Sequence, residues 1–268
     1  GEVFPYSLQT PVDVVWESTP RSEAESIEGF DLPYDFNFLM VSQISPRKNF
    51  ANSLKWWVEE FIDQEVGLIL KSNIKCNSTM DFDSFHNSVK NLLAAYPDRK
   101  CKVHLLHGDL SAGQMVGLYN NPKIKAIVNI AHGEGFGLPL FEAAREGLPI
   151  VTIGWSGQIG FLNHDGKNLF QDVSYTLGPV QPQAVWDGVI QKESMWAYAD
   201  QGSYKMTLRK TYKAWHKAKE KAEKLKSIIN EKFSDENLFE GFVKSIYGEE
   251  IDLDNWLDEL ESEMVFGD

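Results

Sequence analysis

From Phe36 onward, short uninterrupted apolar runs alternate with longer amphipathic stretches, and the connections between them are brief. The runs are Phe36–Val41, Val66–Leu70, Lys102–Leu106, Ala126–Ile130 and Pro149–Ile153. Each has the length of a strand and is mostly apolar rather than alternating, the pattern of strands buried on both faces. Between them, Lys48–Asp63, Phe82–Tyr96, Ser111–Tyr119 and Leu138–Glu146 place their apolar residues at helical spacing. Ser111 suits an N-cap and Gly147 a helix stop. The alternation predicts an α/β chain: a Rossmann-like parallel sheet with helices on both faces.

Outside that block the pattern changes. Residues 1–35 hold Pro5, Pro11, Pro20 and Pro33 and read as an N-terminal segment with one short strand, Val12–Trp16, and a polar linker, Ser18–Glu28. The Rossmann-like domain is assigned to 36–180. Residues 181–248 read as C-terminal helices packing on it: Gln183–Asp200, a long amphipathic Tyr204–Lys232, and Asp235–Tyr247 opened by Ser234. The tail 249–268 carries nine acids and no Lys or Arg, with a candidate helix at Ile251–Met264. Most of the net charge of −13 therefore sits in that tail, and the balance argues against non-specific nucleic-acid binding. The nine Lys and Arg of Lys205–Lys226 read as the solvated face of a helix. No run is long and apolar enough to span a membrane. Cys76 and Cys101 form neither a metal spacing nor a disulfide framework, which points to a reducing, cytoplasmic setting.

Ligands of a doubly wound sheet bind outside the carboxyl ends of its strands, so the loops after strands carry the chemistry. The loop after the first strand, Ser42–Lys48, feeds a helix whose N-terminus suits a phosphate, and Lys48 adds a full charge there. By residue type alone, Arg47 and Lys48 read equally as surface charges. The loop after the fourth strand, Ala131–Gly137, alternates three glycines, which lets backbone N–H groups approach a ligand closely. Glu134 lies in it and Glu142 eight positions on; carboxylates accept paired hydrogen bonds from vicinal hydroxyls. His132 stands at the loop entrance, where a ligand contact and a structural role are equally in keeping with it. Trp155 follows the fifth strand and reads as a pocket wall or as core. The histidines show no metal-ligand spacing, and no G-x-S-x-G nucleophile motif is present.

The run Glu134-Gly135-Phe136-Gly137-Leu138-Pro139-Leu140-Phe141-Glu142, followed by Gly147-Leu148-Pro149, resembles the E-x7-E motif of glycosyltransferase family four. Val41–Asn49 resembles that family's V-G-x-x-x-P-R-K-N loop. Val103–Ser111 is similar to its V-x-F-x-G-x-V-S turn, Leu118-Tyr119 to its L-Y step and Lys232-Phe233-Ser234 to its x-F-S step. The resemblance spans residues 36–248 and implies the C-terminal, donor-binding half of a GT-B glycosyltransferase. It implies that Glu142 holds the ribose, that Glu134 with Gly135, Phe136, Gly137 and Leu138 holds the sugar, and that Lys48 holds the diphosphate. The turn His107, Gly108, Asp109 and Leu110 would lie near the base, with Gln43 and His132 also lining the donor. Glu134 and Lys48 are the candidate catalytic residues.

The same resemblance implies a retaining transfer of a hexose-type sugar without metal or other cofactor. The acceptor half would come from the same full-length chain or from a partner, and the acceptor itself is left open. The chain departs from the family at Ser42-Gln43, where Gly-Arg is common, so an uncharged side chain stands in place of a cation. Two rival readings follow from the same residues: another GT-B activity such as a nucleotide-sugar epimerase or a phosphorylase, or a non-catalytic interaction module.

Overall fold

A computed structural model of the protein describes residues 22–247. Ser22–Ile228 form one compact unit, and Ile229 onward belongs to a second. The first unit is built on a six-stranded sheet in the order β3-β2-β1-β4-β5-β8. Its strands are β1 (Asn37–Val41), β2 (Gly67–Lys71), β3 (Lys102–Leu106), β4 (Ile124–Asn129), β5 (Ile150–Ile153) and β8 (Gln171–Val173). Every pairing is parallel, with Phe38 opposite Leu68, Leu39 opposite Ile127 and Val128 opposite Val151. The apolar runs of β1, β2, β4 and β5 are explained by burial on both sides, whereas β3, at the edge of the sheet, is only partly buried. Phe38 and Met40 face α1 (Phe50–Phe61), α2 (Thr79–Leu93) and α6 (Gln201–Lys213), sharing a core with Trp57, Phe61, Phe85 and Tyr204. Leu39, Ile69 and Ile127, of opposite parity, are equally buried beneath the other face, where α3 (Ala112–Tyr119) and α4 (Leu138–Arg145) pack against each other.

The expected strands and helices of the α/β block are all present. Strand β8 and the start of α2 were not read from the sequence. The helix begins at Thr79 because the Ser78 hydroxyl accepts the Asp81 N–H at 3.2 Å. Between β5 and β8 lie a short helix α5 (Ile159–Leu162) and a hairpin of β6 (Asn163–His164) and β7 (Lys167–Asn168), turned by Asp165 and Gly166 at positive φ.

The largest correction concerns residues 181–199, expected to open the C-terminal helices. Gln183–Asp200 is not a helix. A 3-10 turn, Pro182–Ala184, leads to a tight turn bridging Trp186 and Ile190, then to β10 (Met195–Ala199). β10 pairs antiparallel with β9 (Tyr175–Pro179). Gly188 at φ 78° supplies the left-handed residue of that turn, and Met-Trp-Ala-Tyr-Ala is rich in strand-favouring aromatics. The expected Tyr204–Lys232 helix is two helices. Asp200 caps α6, whose Ser203 N–H donates to its carboxylate at 2.6 Å, and Ala214 breaks the run before α7 (Trp215–Lys232). The second unit, where described, contains the end of α7 and α8 (Asp235–Tyr247), capped by the Ser234 hydroxyl. The segment read as a linker is docked instead at Glu25, whose N–H donates to Gly113 O and whose carboxylate accepts from Ser111. The candidate strand Val12–Trp16 and candidate tail helix Ile251–Met264 lie outside the described residues.

Tyr204 is wholly buried, and its hydroxyl has no hydrogen-bond partner among the described residues. Burial pushes its pKa far up. A buried hydroxyl without a partner is destabilising. Tyr204→Phe is therefore expected to raise unfolding stability by about 1 kcal/mol in urea titration; a loss of similar size would show that the hydroxyl is satisfied in solution.

Candidate functional site

The strand order reverses direction between β1 and β4, so the two loops leaving their carboxyl ends flank the crevice where ligands of such sheets bind. After β1 the chain runs through Ser42–Ser45 into a 3-10 turn, Pro46–Lys48, and Asn49 in left-handed conformation starts α1. After β4 it runs through Ile130–Glu134 to Gly137, whose φ of 92° caps α4. The loops are tied by main chain, because the His132 N–H donates to Arg47 O at 2.8 Å. They are tied again by the Asn49 side-chain amide on Ile130 O.

The strongest tie is the Glu134 carboxylate. Its side chain is only 5% exposed, and Lys48 Nζ lies 2.6 and 2.7 Å from its two oxygens. Arg47 Nη1 donates to it at 2.9 Å and Asn129 Nδ2 at 2.9 Å. Burial alone would raise its pKa, but the Lys48 charge and the hydrogen bonds from Asn129, Lys48 and Arg47 overcome this and hold it below the ordinary carboxylate value. Behind it, the loop after β5 acts as a brace. Ser156, at φ 66°, accepts the Glu134 N–H at 2.8 Å, and the Gly157 N–H donates to Glu134 O. Glycine is required at 157, because a Cβ there would sit 1.8 Å from the Gly135 carbonyl oxygen.

Glu142 is placed differently. It lies on α4, and its carboxylate turns toward α3, accepting the Tyr119 hydroxyl at 2.8 Å. Burial raises its pKa, with Tyr119 and Arg145 opposing. Lys48 and Glu134 are thus brought into direct contact, whereas Glu142 faces a tyrosine. Gly135 and Leu138 are exposed beside them. Phe136 tucks against Phe141 and Phe161, with ring centroids 5.1 and 4.8 Å away. Gln43 is exposed on the β1 loop.

His132 is 2% exposed, with its ring stacked 5.1 Å from Trp196. Its Nδ1–H donates to Ala197 O at 2.8 Å, and Ala197 N–H returns a bond to His132 O. Burial, which favours the neutral ring, lowers its pKa against the opposing bond to Ala197, and its Nε2 has no partner among the described residues. The hairpin of β9 and β10 is thereby fastened to the entrance of the glycine loop. Trp155 packs 5.9 Å from Tyr175.

The turn after β3 lies two strands from β1. His107 Nε2 meets Asp81 at 2.9 Å, and Gly108, at φ 99°, accepts Lys71 Nζ at 2.6 Å. Asp81 also accepts the N–H groups of Ile74, Lys75 and Cys76, so it organises the loop after β2; these bonds hold its carboxyl far below the usual range despite the opposing push of burial. Asp109 is bonded by Asn77, and Leu110 is half-buried. Sequence reasoning missed Arg47 as a site residue, and also Asn129, Ser156, Asp81 and Tyr119. Asn129 had a signal, a polar residue closing an apolar strand, and Ser156 another, its place in the loop after the fifth strand; Asp81 had none.

Among the described residues no group of three His, Cys, Asp or Glu could hold a metal ion, and no helix is long and apolar enough to cross a membrane. Two surface cavities lie away from the site. One, of about 250 Å³, is at the amino ends of β4 and β5, and the other, of about 440 Å³, is beneath α2 beside β3. Tyr119 lines the first, but neither contains Glu134, Lys48 or Arg47.

The two carboxylates should respond oppositely to pH. A lowered native pKa gives stability that is full above the unfolded value and is lost as pH falls through the native one; a raised pKa gives stability present at low pH and lost as pH rises. Glu134→Gln is expected to lower stability at pH 7 by about 1–3 kcal/mol. Glu142→Gln is expected to raise it at pH 7 and to leave it unchanged near pH 4. Urea unfolding at both pH values checks this, and like signs for the two variants at pH 7 would refute it.

No family model matches the sequence, and no curated protein matches it. Solved structures do. The C-terminal domain of a glycosyl transferase group 1 family protein from Francisella tularensis is 12% identical, with a TM-score of 0.51 over 76% of this chain and 89% of that one. A glycosyltransferase from Rickettsia africae is 13% identical, with a TM-score of 0.54 over 80% of this chain and 47% of that one. HepE of Anabaena, solved with UDP and glucose, is 12% identical, with a TM-score of 0.51 over 79% of this chain and 48% of that one. The chain thus spans most of the isolated domain and about half of the longer proteins. At these identities the likeness is one of fold: the protein has the Rossmann-like fold of the C-terminal half of GT-B glycosyltransferases.

Proposed function

We propose that this chain binds a nucleotide-diphosphate sugar and forms the donor half of a glycosyltransferase. One observation carries the reading: a buried Glu134 carboxylate, paired with the partly exposed Lys48, sits at the switch point of the sheet, between a helix-leading loop and a glycine loop. An ammonium group on a helix-leading turn suits a diphosphate, and a carboxylate beside glycine N–H groups suits sugar hydroxyls. The same reading gives Glu142 the ribose and puts the base near His107–Leu110, with Gln43 and His132 lining the donor. Anabaena HepE, solved with UDP and glucose, supports it by analogy of fold.

Transfer breaks the bond between the anomeric carbon and a phosphate oxygen, and charge develops on the departing diphosphate. Lys48 and the positive helix ends are placed to stabilise that charge, so we read the reaction as metal-independent. Retention of configuration, a hexose-type sugar and a cytoplasmic setting complete the proposal; Cys76 and Cys101 are both free thiols, in keeping with a reducing compartment. An acceptor-binding half would come from the same full-length protein or from a partner, and would choose the acceptor.

A ligand that binds only the native state raises stability, by about 2.7 kcal/mol at a hundredfold excess over Kd. UDP-glucose, GDP-mannose or ADP-glucose is therefore expected to raise the melting temperature by several degrees, and Lys48→Ala and Glu142→Ala should each remove most of that shift. No shift with any nucleotide or nucleotide sugar would remove the reading.

A further inference from the structure

The Glu134 carboxylate holds the ammonium group that the reading above gives to the diphosphate. Both its oxygens lie against Lys48 Nζ, and Arg47 Nη1 closes on one of them. The three side chains are layered from the inside outward, with Glu134 5%, Lys48 15% and Arg47 37% exposed. The guanidinium is therefore the group an arriving anion meets first. It is also aimed, since Arg47 Nη1 donates to the Gly133 carbonyl at the mouth of the glycine loop. Gln43 is neutral, so Arg47 and Lys48 are the loop's two cations. Two cations against one carboxylate leave an excess positive charge. A guanidinium can serve a phosphate in the same forked geometry as a carboxylate.

We propose that Arg47 and Lys48 form a single anion seat, held by Glu134 in the free protein and ceded to the diphosphate when the donor binds, so that the site retains a nucleotide sugar in preference to the bare nucleoside diphosphate. This inference rests on the proposed donor-binding reading. A diphosphate that takes the seat draws both cations away from a buried carboxylate, leaving it only Asn129. A buried carboxylate stripped of partners is strongly unfavourable. A donor sugar offsets that loss, because its hydroxyls donate to Glu134. A bare diphosphate offers no such hydroxyls. Once the sugar has been transferred, Glu134 reclaims its cations and the diphosphate is released. Arg47 is thus a diphosphate-binding residue, and Glu134 acts as an internal competitor as well as a sugar contact.

Isothermal titration calorimetry with UDP, GDP, ADP, UDP-glucose, GDP-mannose and ADP-glucose tests this on the wild type, Glu134→Gln and Arg47→Met. The wild type is expected to bind one nucleotide sugar about tenfold or more tightly than the matching diphosphate. In Glu134→Gln the neutral amide no longer competes for the cations. That variant is expected to bind the diphosphate about tenfold more tightly than the wild type and to lose the preference for the sugar conjugate. Arg47→Met, a change at a partly exposed position, is expected to weaken the diphosphate about tenfold while leaving the matching monophosphate unaffected. If Glu134→Gln does not fold, the Arg47→Met result decides. A wild type that binds diphosphate while Glu134→Gln binds it no more tightly, or Arg47→Met binds it equally well, overturns the shared seat and leaves the donor-binding reading intact. A wild type that binds none of the six ligands overturns that reading and the seat with it.

Discussion

A buried carboxylate, Glu134, joins the two halves of the site. Burial disfavours its charge, and the charge persists because Lys48, Arg47 and Asn129 converge on it from β1 and β4. That side chain, with the His132–Arg47 main-chain bond and the Asn49 amide on Ile130 O, holds the helix-leading loop against the glycine loop. Ser156 and Gly157 fix the carboxylate's own backbone from the loop after β5. Three neighbouring strands of a parallel sheet each contribute one part, which is why the fold must close before the site exists.

Five of the sheet's six strands were legible because they are largely apolar on both faces, a pattern that surface hairpins do not share; β8, Gln-Asp-Val, was not. The helices were legible by their spacing and caps, as at Ser111, whose hydroxyl accepts the Gln114 N–H. The hairpin of β9 and β10 was not. Its apolar residues between Gln183 and Asp200 fit a helical period, and what overrides that period is tertiary: His132 and Ala197 exchange hydrogen bonds across 65 positions. The break at Ala214 was hidden for a similar reason, since Trp215 Nε1 bonds the Lys125 carbonyl far away in sequence.

The candidate site was legible in its loops and less so in its contacts. Lys48 and Glu134 were singled out separately, one as a phosphate ligand and one as a sugar ligand; that they hold each other is a property of the fold. Arg47 looked like a surface charge, and at 37% exposure it partly is one. Glu142 shared a motif with Glu134, yet the helix turns it to Tyr119; burial pushes both pKa values up, and only at Glu134 do the Lys48 charge and the hydrogen bonds from Asn129, Lys48 and Arg47 reverse the shift. Such divergence between two carboxylates eight positions apart marks a place where environment, rather than residue type, assigns roles.

The most direct test follows backbone hydrogen exchange by mass spectrometry, with and without saturating nucleotide sugar. The account expects slowed exchange in two segments remote in sequence, 42–49 and 130–138, with lesser change in the helices α6 and α7. Slowing confined to the edge beneath α2, or to the amino ends of β4 and β5, would contradict it.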